Sequence, residues 1–226
     1  MKFTTLIQSA SIAFLVAAGN IHAASDKLPE VTVDGLHHLS DTELAIVYAD
    51  PEADFSQYTK IYLADAYVAF KKNWRRDQNT GGRLKVTVSD MEKIKAELAA
   101  LFKEVFTETL VEGGYEMATE RADDVLIIKP AIINLDVVAP DTNSASMARS
   151  RTYSESTGEM TLYLELFDSV TDDLLAKALD RKLDRQTGYF QWQTSVTNRA
   201  AANRILKQWA NVLKEGLDEA RGAKAE

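Results

Sequence analysis

The chain is expected to fold as an α+β domain: a mainly antiparallel sheet with two amphipathic helices packed on one face. Three observations predict this. Apolar residues recur with period two around 60–70, 125–138 and 160–166, the signature of half-buried strands. Two stripes at helical spacing occupy 91–106 and 205–217. The two kinds of segment do not alternate regularly, which favours α+β over a doubly wound parallel sheet.

Taken in order, residues 1–23 carry an address and no fold. Lys2 gives a positive start, Ile12 to Ala18 is an unbroken apolar run, and Ile21-His22-Ala23 suits a signal peptidase. The run is far shorter than the ~20 residues that span a bilayer. Export with cleavage after Ala23 is expected, and the mature chain should have no transmembrane anchor. Residues 24–42, broken by Pro29 and Gly35, form an irregular lead-in to a single domain over 43–222, with a polar tail at 223–226.

Within the domain, Glu43 to Ala49 is β-rich and stops at Asp50-Pro51. Lys60 to Phe70 is expected as one strand with Tyr62, Ala64, Ala66, Val68 and Phe70 on one face. A basic stretch, Lys71-Lys72-Asn73-Trp74-Arg75-Arg76, follows, and then the loop signal Asn79-Thr80-Gly81-Gly82. Ser89 and Glu92 fit a capping box for a helix whose stripe is Met91, Ile94, Leu98, Leu101, Phe102, Val105 and Phe106. Gly113-Gly114 ends it.

Val125 to Val138 is a long strand with Val125, Ile127, Ala131, Ile133, Leu135 and Val137 on one face, and Pro130 suggests an edge or a bulge. Residues 139–159 are polar, as a loop or hairpin arm would be. Met160, Leu162, Leu164 and Leu166 line a half-buried strand, and Leu174 to Arg185 is its antiparallel partner across the 169–173 turn. Leu175, Leu179 and Leu183 would also fit a helical period. The last helix runs from about Thr197 to Ala220, burying Ile205, Trp209, Val212, Leu213 and Leu217.

Composition excludes several function classes. The chain has no cysteine, which removes disulfides, thiolate metal sites and cysteine nucleophiles. Without residues 1–23 it has 25 basic against 34 acidic residues, a net charge of -9. Nucleic-acid partners are therefore disfavoured, since they call for a basic face and a high isoelectric point.

Several short motifs taken together resemble an uncharacterised bacterial envelope family, domain of unknown function 3313. They are Asp54-Phe55-Ser56-Gln57-Tyr58, Phe70-Lys71-Lys72-Asn73-Trp74, Pro130-Ala131-Ile132, Ser150-Arg151-Thr152-Tyr153, Met160-Thr161-Leu162-Tyr163-Leu164-Glu165 and Ser195-Val196-Thr197-Asn198. The resemblance covers nearly the whole mature chain. It implies an envelope location, and its members are mostly exported lipoproteins. This chain lacks the cysteine that carries a lipid, so a soluble, unlipidated periplasmic protein is expected.

Catalytic patterns are sparse. His37 and His38 are adjacent, so a strand would point them to opposite sides, and neither Asp34 nor Asp41 makes them a convincing metal site. No Gly-x-Ser-x-Gly elbow, phosphate loop or dinucleotide fingerprint occurs. Asp65, Asp136, Asp168 and Asp184 lie in or beside expected strands, and two of them converging could cleave an envelope polymer. No cofactor is implied.

The leading expectation is a non-enzymatic binding or adaptor protein of the cell envelope whose partner is a protein, lipid or polymer. The alternatives are an accessory hydrolase and a small-ligand or lipid carrier with a cavity between helices and sheet. The candidate docking surface comprises Lys71, Lys72, Trp74, Arg75 and Arg76, with Arg149, Arg151, Tyr189 and Trp192 if those segments converge on it. The structural reading, favoured over docking, is that Phe70 and Trp74 close the edge of the core while the cations form a solvated face, and that Tyr189-Phe190-Gln191-Trp192 staple the last helix to the sheet.

Overall fold

The computed structural model describes residues 28–80, 85–137, 152–154, 156–185, 191–193 and 195–222. The segments read as signal peptide and polar tail lie outside them, as do Gly81-Gly82. One eight-stranded mixed sheet, mostly antiparallel, carries two long helices. Strands β1 (His37–Leu39), β2 (Ile46–Ala49), β3 (Lys60–Leu63) and β4 (Tyr67–Phe70) precede helices α1 (Trp74–Thr80) and α2 (Val88–Glu112). Then come β5 (Glu116–Met117), β6 (Val125–Val137), β7 (Thr152–Ser154), β8 (Ser156–Asp168), β9 (Leu174–Arg185), β10 (Gln191–Gln193) and α3 (Ser195–Gly222). The sheet order is β1-β2-β9-β8-β6-β3-β5, with β4 also on β6, while β7 and β10 form a separate antiparallel pair.

The expected α+β class is therefore observed, with a parallel corner where β3, β4 and β5 join. The single strand expected at 60–70 is two, both parallel to β6. Ala64-Asp65-Ala66 breaks the run and shifts its phase, so Ile61 and Leu63 face the core first, then Ala66 and Val68. Pro130 sits at this break. β3 pairs as far as Ile128 and β4 resumes at Ala131. A residue with no N–H to donate thus falls where β6 has no ladder partner on that side. The strand is not an edge, since β8 lies on its other flank.

The core fills the space between one sheet face and the two long helices. From α2 it takes Leu98, Leu101, Phe102, Val105, Phe106 and Leu110, and from α3 Ile205, Leu206, Trp209, Ala210, Leu213 and Leu217. Phe102 and Phe106 stack at 3.9 Å. The expected faces of β8 and α3 are the buried ones, Met160, Leu162, Leu164 and Leu166 included, with Val212 only half-buried.

Along β6 the expected phase is off by one. Leu126, Ile128 and Ile132 meet the helices, while Val125, Ile127 and Ala131 are buried on the opposite face. A bulge with Asn134 at φ 53° then shifts the phase and turns Leu135 inward.

Helix α2 is capped two residues earlier than expected, at Thr87 instead of Ser89. Thr87 Oγ1 accepts from the Asp90 amide at 3.1 Å, and Asp90 accepts from the Thr87 amide at 2.9 Å. The lead-in is not wholly irregular either, because β1 pairs antiparallel with β2. Among the described residues no helix is long and apolar enough to cross a membrane.

Candidate basic groove

The basic stretch is the start of a helix fastened to the end of β6. Lys71 N donates to Leu135 O at 3.1 Å, continuing the β4–β6 ladder by one residue. Asn73 then takes a left-handed φ of 65°, a conformation Asn adopts more readily than most residues. That turn starts α1. Trp74, 1% exposed, stacks on Phe70 at 4.1 Å, and its indole donates to Val137 O at 3.3 Å. Trp74 is consequently an anchor and not a contact residue, which corrects its place in the expected surface. A side chain of this size loses several kcal/mol on truncation, about 3–5.

With Trp74 inward, Arg75 and Arg76 face water, as does Lys72. Arg76, whose side chain is 71% exposed, reaches its neighbour Asp77 at 3.1 Å, a surface pair of little energetic weight. Lys71 belongs to the sheet: its ammonium meets the Asp136 carboxylate. The hydrogen bond that Lys71 donates to Asp136 holds the ammonium above the ordinary lysine range, with desolvation opposing it. Lys71 is thus occupied at the sheet end, and the available cations start at Lys72.

A second segment returns beside α1. The Asn79 amide clasps Val86 on both sides, accepting from its N–H at 2.7 Å and donating to its carbonyl at 3.1 Å. This draws the 85–88 segment against α1 and leaves a surface groove of about 640 Å³. Arg75, Arg76 and Lys85 supply its charge, and Val86 and Val88 its apolar wall. Sequence reading missed Lys85. The signal was only its place beyond the glycine-rich loop, and the Asn79 clasp that brings it to α1 spans seven residues.

Arg149, Arg151 and Tyr189 lie outside the described residues. Trp192 lies in β10, opposite Tyr153 of β7. Of the expected surface, Arg75 and Arg76 line the groove at α1.

Of the carboxylates proposed for hydrolysis, Asp65, Asp136 and Asp168 do not gather, and the Asp184 side chain lies outside those described. Asp168 pairs with Leu126 at one end of the β6–β8 ladder, and Asp136 with Glu159 near the other. Ten residues of β6 separate the two positions, roughly 30 Å at strand rise. Asp136 meets Lys71, and exposed Asp65 meets Lys103 at 2.7 Å. Burial pushes Asp168 up, but the Thr171 amide, the Tyr58 hydroxyl and the Val170 amide outweigh it, so the net shift is down. Asp168 is thus an ionised turn anchor and no proton donor.

His37 and His38 sit side by side on β1, with His38 packed at 5.2 Å on Tyr48, and Asp34 pairs with Lys177. Among the described residues, no group of three or more acidic or histidine side chains could hold a metal ion.

With the geometry in place, comparison assigns the family. A profile described as protein of unknown function (DUF3313) matches residues 33–213. The chain belongs to this family. None of the curated proteins compared matches the DUF3313 chain.

Among solved structures, protein XCC0632 from Xanthomonas campestris, of family DUF330, aligns with a TM-score of 0.39 and 16% identity, covering 74% of this chain and 87% of that one. A DUF4136 family protein from Bacteroides thetaiotaomicron gives 0.34 and 16%, covering 72% and 90%. The PelC dodecamer from Paraburkholderia phytofirmans gives 0.35 and 10%, covering 71% and 94%. At these scores the likenesses transfer neither an activity nor an assembly to the DUF3313 chain.

Proposed function

We propose that this DUF3313 chain is an exported, non-enzymatic binding or adaptor protein of the cell envelope that docks its partner through the face of α1. In this reading residues 1–23 direct export and are removed after Ala23. The absence of a cysteine leaves the mature protein unlipidated in the periplasm.

One observation carries the proposal. α1 is anchored by a buried tryptophan and turns Arg75 and Arg76 outward in a chain whose formal net charge is -8. An acidic protein that fixes cations on a rigid element has a preformed contact for an anionic surface, and preorganisation lowers the entropy lost on binding.

The test is in-cell photo-crosslinking. A photoreactive amino acid at position 72, beside the groove, should capture one defined envelope component. Capture should fall in an Arg75→Glu variant. A probe at position 207, on the exposed side of α3, should not capture that component. Equal capture from 72 and 207, or none from 72 above background, would overturn the reading.

A further inference from the structure

Among the described residues most cations are matched. Lys60, Lys71, Lys103, Arg121, Lys177 and Arg181 each meet a carboxylate within salt-bridge distance. Among the described residues, exposed Arg75 and Lys85 meet none, as is true of Lys72 and Lys207. Arg75 and Lys85 line the same groove together with Arg76, itself paired with Asp77, and among the described residues no carboxylate lines it.

The groove's polar side chains are already engaged within the protein. Asn79 is bonded to Val86 on both faces, Thr80 Oγ1 donates to Arg76 O at 2.7 Å, and Thr87 exchanges bonds with Asp90. Asp90, 2% exposed, also places a carboxylate at the start of α2, which offsets the positive end of that helix. What remains for a ligand is the charge of Arg75 and Lys85, that of Arg76 being shared with Asp77, and one exposed valine, Val88 at 57%.

This composition selects its ligand chemically. A single carboxylate would leave one of the two free charges unmatched. A phosphate monoester carries about -1.5 to -2 at neutral pH and offers three acceptor oxygens. Guanidinium groups bind such oxygens in a fork, while an ammonium acts as a point charge. The volume suits a headgroup with an attached carbon skeleton, and exposed Val88 gives that skeleton an apolar contact.

We infer that the groove of Arg75, Arg76 and Lys85 binds a phosphate-bearing headgroup, presented either at a lipid surface or as the free phosphoester. The inference rests on α1 being the docking element and adds the chemistry of what it takes.

Two probes share that chemistry and separate its sources: glycerol phosphate in solution, and phosphatidylcholine vesicles with a minor fraction of phosphatidic acid. Amide shifts of residues 75–80 and 85–88 on titration with glycerol phosphate would identify the soluble source. Co-sedimentation with the acidic vesicles alone, and not with pure phosphatidylcholine, would identify the lipid source. In either case the double variant Arg75→Gln, Lys85→Gln should weaken binding by at least about tenfold, whereas Lys207→Gln should leave it unchanged. Far-ultraviolet circular dichroism confirms that each variant is folded. Binding of neither probe, or an equal loss with Lys207→Gln, overturns the inference. Specific crosslinking from position 72 without binding of either probe overturns the phosphate assignment and leaves the docking element standing.

Discussion

Asp168 shows how one side chain can set a corner of this fold. It ends β8 and faces into the turn toward β9, where one oxygen accepts from the amides of Val170 and Thr171, both at 2.7 Å. Its other oxygen accepts from the Tyr58 hydroxyl at 2.7 Å, tying the segment before β3 to the same corner. These bonds favour the ionised form, so the folded state holds its proton less tightly than the unfolded chain does. The stability they add is fully present above the unfolded pKa, about 4, and is lost as pH falls through the lower folded value. Asp168→Asn should lower stability by about 1–2 kcal/mol at neutral pH. The gap from wild type should narrow as pH drops below about 4. Urea midpoints across a pH series measure this, and a gap independent of pH would refute the carboxylate's role. The aspartate itself was visible in the sequence as a strand-end acid. Its partner Tyr58 lies 110 residues away, so its role as a turn anchor was not.

At the scale of elements, patterns that need no distant partner were legible. The α2 stripe, the Gly113-Gly114 stop, the alternation in β8 and the buried face of α3 all follow from local periodicity. Phase changes were not legible, because a break or bulge looks like continuous apolar sequence: Ala64 to Ala66 and the Asn134 bulge each shift which residues face the helices. The capping box was misplaced for a related reason. Thr87-Val-Ser-Asp90 and Ser89-Asp-Met-Glu92 both satisfy the motif, and the neighbouring Asn79–Val86 clasp places the helix start at the earlier one. The β6–β8 end offers a sharp test of such irregular geometry. Gly158 has φ of 140°, and a Cβ there would lie 2.3 Å from the Asp136 carbonyl oxygen. Both the backbone and the space therefore resist a side chain. Gly158→Ala should cost about 2–3 kcal/mol, read from chemical denaturation. Hydrogen exchange should quicken near 136–137 and 156–160 while the α2 amides stay protected. A variant as stable as wild type would mean that the bulge relaxes freely.

The whole molecule depends on contacts that join elements far apart in sequence, and these were the least legible. The architecture was readable because apolar periodicity alone decides which faces must meet, whereas the parallel corner and the polar ties depend on register. Asp180 is the strongest such tie. It lies on the core side of β9, 7% exposed, and accepts from the Trp209 indole at 2.7 Å and from the Ala45 amide at 3.2 Å. One carboxylate thereby links the outer part of the sheet, the approach to β2 and the middle of α3, with Lys182 at 3.5 Å as counter-charge. From the sequence, Asp180 was only a polar residue in an expected strand. Removing it would leave the buried Trp209 indole, the part-buried Ala45 amide and a nearby ammonium without their acceptor, so Asp180→Ala should cost about 3 kcal/mol. Asp180→Asn should cost less, because its amide oxygen can still serve one donor. Because the tie spans sheet and helix, the loss should appear as a lower urea midpoint with an unchanged slope, which marks one cooperative transition. Tryptophan fluorescence and far-ultraviolet circular dichroism should report the same midpoint. If α3 separated early, with fluorescence changing before ellipticity, the molecule would be two weakly coupled layers; coincident curves displaced together in the alanine variant would mark Asp180 as a joint of a single folding unit.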